Sequence, residues 1–230
     1  MTDREIVETL GLAADEDAVR KMAEYNAMVI AMSRKMNLTG IKDAEESLVK
    51  NIYDSLTVYE EKYFPKNGRM LDLGTGAGFP GLVLAVAFPE KDFLLVDSVR
   101  KKISFIDEAA ENLGLTNVKT SYERAEDLVT KSRSSFDLGL CRGVANLRII
   151  LEYMIPFLKV NGRFLPQKLN ENELSESENA LKTLNSKILK IHKFRLPESN
   201  DERIIIEIQK LKEISSRYPR KTGIPAKKPL

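Results

Sequence analysis

Between Leu71 and Gly81 the chain carries glycines at positions 74, 76, 78 and 81, set where a short apolar run gives way to a helical one. Glycines at such a junction let the backbone turn tightly and come close to a ligand. Pro80 suits the first turn of the helix that follows, because the N–H it lacks would be unpaired there anyway. A helix fed from such a loop offers free N–H groups and the positive end of its dipole, which favour an anionic group nearby. The loop therefore asks for a parallel α/β sheet whose ligand crevice lies at the carboxyl ends of the strands.

The rest of the chain agrees with that demand. From Arg69 onward short apolar runs alternate with amphipathic segments, the texture of successive βα units. Strands are expected near residues 69–73, 93–97, 117–121, 136–141 and 161–166, with helices between them and a polar helix at about 170–185. Two further strands, near 187–195 and 203–210, are separated only by Pro197 to Asp201, a connection of hairpin length, so they should run antiparallel. Ahead of the sheet, residues 3 to about 60 read as helices. Thr2 or Asp3 can cap the first, Val19, Met22, Ala23, Tyr25, Val29 and Met32 recur at helical spacing, and a third helix runs from about Ala44 to Glu60. The expected organisation is a helical N-terminal module over 1–65, a sheet domain over 66–211 and a basic C-terminal tail over 212–230.

Composition narrows the chemistry. A single cysteine, Cys141, excludes an intramolecular disulfide, and a single histidine, His192, excludes clustered Cys/His metal sites, so no metal is expected. The polar start, Met1 to Glu5, is unlike a signal peptide, and no apolar run approaches the ~18 residues of a membrane span, so a cytoplasmic protein with no membrane partner is expected, as a monomer. With a net charge of only +2, affinity for nucleic acid must come from local patches.

A dinucleotide site would want Gly-x-Gly-x-x-Gly, but counted from Gly74 the third glycine position holds Phe79. The spacing Asp72, Gly74, Gly76, Gly78 instead resembles the acidic-Gly-x-Gly-x-Gly signature of S-adenosylmethionine methyltransferases. Asp97 ends the second expected strand 25 positions after Asp72, where a carboxylate faces the crevice and can accept ribose hydroxyls, although it could also simply cap the next helix. After the third strand, Glu123 to Asp127 can reach an adenine amino edge or can be no more than a charged first helical turn. Arg142, at the end of the fourth strand, suits an anionic group, or a salt bridge to Asp137.

At this point one family accounts for many residues at once. Asn37 to Thr39, Asp54 to Leu56, Asp72 to Gly81, Leu95 to Ser98, Lys101 and Lys102, Ala125 and Glu126, Arg142 to Ala145, and Tyr218 to Pro225 resemble the RsmG (GidB) family, over about residues 20 to 230. The resemblance implies a Rossmann-like class I methyltransferase fold, α/β, closed by a terminal antiparallel hairpin. It also implies S-adenosylmethionine as cofactor and N7 of a guanine in 16S ribosomal RNA, free or in the small-subunit particle, as substrate. It assigns cofactor contacts to Gly74, Phe79, Asp97, Ser98, Ala125, Glu126 and Arg142, to which the loop geometry adds Gly76 and Gly78. Three positions depart from the family pattern: Asn51 replaces the usual histidine, Gln167-Lys168-Leu169 stands where Lys-Gly is usual, and Gly143 follows Arg142 in place of alanine.

Guanine N7 already carries a lone pair, so the implied transfer needs no general base and no catalytic nucleophile is expected. Asn37, Asp54 and Arg142 are candidates for positioning the base or the methyl donor. A basic rim for RNA is expected from the tail, where Arg217, Arg220, Lys221, Lys227 and Lys228 occur without an acid, Pro219, Gly223, Pro225 and Pro229 oppose a regular helix, and Tyr218 offers a stacking face. Competing readings are a methyltransferase acting on a small molecule or a protein, and an RNA-associated protein without turnover.

Overall fold

The computed structural model describes Thr2, Glu5 and residues 16–230. Most of the first expected helix lies outside the described residues. Its expected cap is nevertheless visible: the Thr2 N–H donates to Glu5 Oε2 (2.7 Å) and the Glu5 N–H to Thr2 Oγ1 (3.3 Å), the reciprocal pair of a capping box.

Seven strands form one sheet: β1 (Arg69–Leu73), β2 (Asp92–Val96), β3 (Val118–Ser121), β4 (Phe136–Arg142), β5 (Leu158–Lys168), β6 (Ser186–Arg195) and β7 (Glu202–Lys210), in the order β3-β2-β1-β4-β5-β7-β6. The pairs β1–β2, β1–β4, β2–β3 and β4–β5 are parallel, whereas β7 pairs antiparallel with both β5 and β6. The chain order reverses between β1 and β4, so the crevice of the sheet opens at their carboxyl ends. β5 starts three residues before its expected start, because Asn161 takes a positive φ of 68° and the strand passes through an irregularity between its pairings at Leu158 and Arg163.

Period-two burial sorts the strands onto two cores. Met70, Phe93, Leu95, Leu138 and Leu140 face one side; Leu71, Leu73, Val96 and Cys141 face the other. The first core is shared with α1 (Glu16–Ser33), whose Met22, Tyr25 and Val29 are fully buried, and with α2, a continuous helix made of Ala44–Ser47, a π-helical stretch Leu48–Tyr53 and Asp54–Leu56. These described N-terminal helices are thus part of the sheet's own core. Helix α2 stops at Leu56, short of the expected end at Glu60, with Thr57 and Tyr59 closing its last turn on the carbonyls of Tyr53 and Leu56. α3 (Gly81–Ala87) and α4 (Arg100–Asn112) cover the same face.

On the other face lie α5 (Ala125–Ser132), α6 (Leu147–Met154) and α7 (Glu178–Thr183). The expected polar helix at 170–185 is shorter than its composition suggested, a single 3₁₀ turn at Ser175–Ser177 followed by α7. The tail packs on this face too. Tyr218 is buried in its core, and Ile224–Lys227 form one helical turn, α8, despite the prolines around it. The stacking face expected of Tyr218 is therefore not available; its ring has gone into the protein.

Candidate active site

The glycine loop is held from beneath by a carboxylate. Asp72 is fully buried at the end of β1, where its Oδ2 accepts from Thr75 Oγ1 (2.6 Å) and from the Gly81 N–H (2.9 Å). Burial pushes its carboxyl up to about 7, and its other oxygen has no partner. The closeness explains Gly81: a Cβ there would lie 2.7 Å from Asp72 Oδ2. Gly74, Gly76 and Gly78 carry the turn at positive φ, and the buried Tyr25 hydroxyl of α1 donates to the Ala77 carbonyl. Nothing in the sequence flagged Tyr25 for this task beyond its helical spacing.

At the carboxyl end of β2, Asp97 binds both the loop and the next helix. Its Oδ2 accepts the Gly76 N–H at 3.0 Å and its Oδ1 the Val99 N–H at 2.9 Å, with Lys102 Nζ 3.7 Å away. The cap reading of Asp97 is thus realised, and a carboxylate has lone pairs for about two more donors. It lines a cavity of about 330 Å³ with Gly74, Ser98, Ala125, Glu126, Val144, Ile150 and Tyr153 among its walls. Gly74, Asp97, Ser98, Ala125 and Glu126 come together there as expected from the sequence. Gly76, Gly78 and Phe79 stand back from the walls and shape the loop, and Ile150 and Tyr153 were not singled out from the sequence.

A second cavity, about 580 Å³, adjoins the first along Gly143 and Val144, which line both. Arg142 forms its floor. Its Nη1 donates to the Lys50 carbonyl (3.0 Å) and Asp54 Oδ2 (3.2 Å), its Nη2 to Asn51 Oδ1 (2.9 Å), and its guanidinium lies 5.1 Å from the centroid of the Phe79 ring. Burial lowers its pKa, and the neighbouring Asp54 and Asp72 carboxylates work against that. The alternative partner Asp137 instead pairs with Lys159 at 2.8 Å.

Asp54 is no surface charge: it is 2% exposed, and three donors converge on its carboxylate. Arg142 Nη1 and Arg203 Nε share Oδ2, each at 3.2 Å, and Gln167 Nε2 lies 3.1 Å from Oδ1. The π-helical stretch of α2 turns Lys50, Asn51 and Asp54 toward this cavity, which all three line. Both amides at departing positions thereby find work: Asn51 accepts from Arg142 while its Nδ2 donates to Ser47 Oγ (2.9 Å), and Gln167 also donates to the Asp54 carbonyl (2.6 Å). The other carboxylate on the wall, Glu173, accepts the Leu147 N–H at 2.6 Å and pairs with Lys168 Nζ at 2.8 Å. Arg203 and Glu173 were invisible as site residues in the sequence, since only the β5–β7 pairing and the turn after β5 bring them here, whereas Gln167 stood out there as a departure from the family pattern. Asn37 is not brought in: it is exposed in the bend after α1, away from the cavity walls.

The tail corrects a further expectation. Arg220 does not reach outward. Its backbone N–H (2.8 Å), Nε (2.8 Å) and Nη2 (2.6 Å) all donate to the carboxylate of Glu152, a fully buried residue of α6. Arg217, Lys221, Lys227 and Lys228 remain exposed. Among the described residues no group of acids, cysteines and histidine could hold a metal ion, and no helix is long and apolar enough to cross a membrane.

Solved structures share this architecture. A SAM-dependent methyltransferase from Methanosarcina mazei matches with a TM-score of 0.55 at 18% identity, covering 66% of this chain and 96% of that one. The M. jannaschii protein TYW2, in complex with AdoMet, matches with a TM-score of 0.56 at 13% identity over 70% of this chain and 76% of that one. The fold is the Rossmann-like type of S-adenosylmethionine-dependent methyltransferases. The family model for rRNA small subunit methyltransferase G, GidB, matches residues 18–205. Two proteins named Ribosomal RNA small subunit methyltransferase G are similar over nearly the whole length. That of Fusobacterium nucleatum is 46% identical over 228 residues (99% of this chain, 98% of that protein), and that of Alkaliphilus metalliredigens 38% over 226 residues (96% and 94%). The chain belongs to this family.

The smaller cavity fits the cofactor of that class. It offers a strand-end carboxylate with unused lone pairs, apolar walls from Val99 and Ile150 for a flat ring, and a second carboxylate, Glu126.

Proposed function

We propose that the chain methylates N7 of a guanine in 16S ribosomal RNA, with the cofactor in the smaller cavity and the base in the larger. One observation carries this reading: both carboxylates on the wall of the larger cavity are consumed by cationic or N–H partners, so neither is free to remove a proton. An exocyclic amine or a hydroxyl would need such a base; a ring nitrogen with its lone pair in the plane does not. S-adenosylmethionine supplies an electrophilic methyl on a sulfonium when bound.

The chain's own residues then bind and orient. Asp97 would accept the ribose hydroxyls, while the Ala125 backbone and the Glu126 carboxylate would hold the adenine edge. Arg142, fixed by Asp54, Asn51 and the Lys50 carbonyl, holds the floor against which donor and base align. Alignment of this kind supplies up to roughly 7–11 kcal/mol for well-oriented reactants. The exposed tail cations, Arg217, Lys221, Lys227 and Lys228, pair with RNA phosphates.

The test is transfer from methyl-labelled S-adenosylmethionine to small-subunit RNA, naked and in particles, followed by digestion to nucleosides. Label in 7-methylguanosine is expected. Label in another nucleoside, or in a protein or small-molecule fraction that RNA does not compete with, overturns the reading.

A further inference from the structure

The tail is a strap over the helices that wall the cofactor cavity, and its fastenings are specific. Arg133, at the end of α5, donates to the Tyr218 carbonyl. Arg220 closes on Glu152 with three hydrogen bonds and, through the same Nη2, holds the Lys228 carbonyl at 2.8 Å. From that clasp the chain runs three residues to Gly223, whose N–H donates to Glu126 Oε1 at 3.3 Å. Glu126 lines the smaller cavity, as does Tyr153, the residue next to Glu152 on α6. The Tyr153 phenol is pushed up by burial and by the neighbouring Glu126 and Glu152 carboxylates, so these three groups sit within one electrostatic neighbourhood.

A fully buried carboxylate is costly unless it is paired and hydrogen-bonded. Glu152 meets that condition only through the strap, and it touches nothing in either cavity directly. We infer that Glu152 is a positioning residue for cofactor binding: by clasping Arg220 it seats Gly223 on Glu126 and so fixes the carboxylate at the adenine side of the cavity. The strap's role is thus divided. Arg220 serves the cofactor site from behind, and the exposed cations on either side of it face outward.

The inference rests on the cofactor reading of the smaller cavity, and the experiment separates the two. S-adenosylmethionine and adenosine affinities are measured by calorimetry on the full chain, with steady-state methylation alongside, for wild type, Glu152→Gln, Arg220→Lys and the double variant Lys227→Ala, Lys228→Ala. If wild type binds neither ligand, the cavity assignment itself fails. If it binds, Glu152→Gln is expected to weaken both ligands by the same factor, about fivefold or more, a coupling of ordinary size. Its kcat at saturating cofactor and its KM for RNA should stay within about twofold of wild type by the same arithmetic. Arg220→Lys, which keeps the charge but not the fork, should fall between the two, and the Lys227 and Lys228 pair should leave cofactor binding unchanged. A drop in thermal midpoint in Glu152→Gln and Arg220→Lys, with unchanged constants for both ligands, overturns the proposal, because the clasp would then serve the fold alone. So would a loss of S-adenosylmethionine binding that adenosine does not share.

Discussion

Replacing Asp54 by asparagine tests the larger cavity's framework with little change in shape. The carboxylate accepts from Arg142 Nη1 and Arg203 Nε at 3.2 Å and from Gln167 Nε2 at 3.1 Å, all on side-chain oxygens. An amide has one oxygen, so whichever way it turns, its NH₂ faces a donor. If the oxygen faces the arginines, two ion-pair hydrogen bonds lose the charge on their acceptor, about 1 kcal/mol each, and the Gln167 amide loses one of its two acceptors, keeping the Asp54 carbonyl, for about 1 kcal/mol more. The sum is about 3 kcal/mol. It belongs at the lower end of the 3–5 kcal/mol typical for breaking a buried pair, because the side chains of Arg142 and Arg203 are 20% and 15% exposed and water can screen them. In a chain of this size that corresponds to a fall in thermal midpoint of roughly 6–12 °C. Urea unfolding followed by circular dichroism should show the midpoint moving with an unchanged slope. Methylation should fall further than stability at 25 °C explains, since Arg142 loses its fixed place. A stability change below about 0.5 kcal/mol together with full activity would mean that the Asp54 carboxylate does not hold Arg142 and Arg203 in place.

Asp97→Ala should weaken S-adenosylmethionine binding by about 1.5–3 kcal/mol, the range for hydrogen bonds to a charged group, and also cost stability, because the Gly76 and Val99 N–H groups lose their acceptor; calorimetry and melting read the two separately. Asp72 titrates near 7 in the fold against about 3.9 unfolded, so the native state binds the extra proton and wild type should gain stability relative to Asp72→Asn as pH falls from 8 to 5. The gain is lost again as pH rises through 7, and an opposite slope in paired melts would contradict the burial of that carboxylate. Gly81→Ala should destabilise by about 1–3 kcal/mol, because its Cβ meets Asp72 and Leu95, and an unchanged midpoint would mean that the loop can move aside. Neutralising Arg217, Lys221, Lys227 and Lys228 should reduce the logarithmic salt slope of RNA binding by about 0.7 for each single-strand phosphate that no longer has a cation beside it. Equal slopes before and after would remove the tail from the RNA face.

What could be read from the sequence was what local chemistry encodes. The strand-to-helix glycine loop, the short apolar runs and the short Pro197–Asp201 connection reported the sheet and its antiparallel end, because each acts within a few residues. Asp97 was readable as a crevice residue because a doubly wound sheet fixes where strand ends point, whereas Glu126, in the first turn of α5, was singled out only by the family resemblance. The larger cavity was only partly legible. Asp54 sits on a helix whose apolar spacing says nothing about the two arginines and the glutamine that meet it from β4, β5 and β7. Arg220 shows the same limit from the other side. A basic run without a local acid looks solvent-facing, but its partner Glu152 is 68 residues away on α6. Tyr218, read as a stacking platform, is instead an anchor in the second core.

The proposed reaction is methylation of a ring nitrogen of small-subunit ribosomal RNA in two adjoining cavities, the larger of which has no free carboxylate on its wall. Its most direct measurement is mass mapping of modified nucleosides in that RNA from cells lacking the protein, with and without a plasmid carrying the wild-type gene. A single 7-methylguanosine is expected to be missing in the deletion strain and to return with the wild-type gene. An unchanged set of 7-methylguanosines, or the loss of a methyl group on an exocyclic amine or a ribose hydroxyl instead, would contradict it.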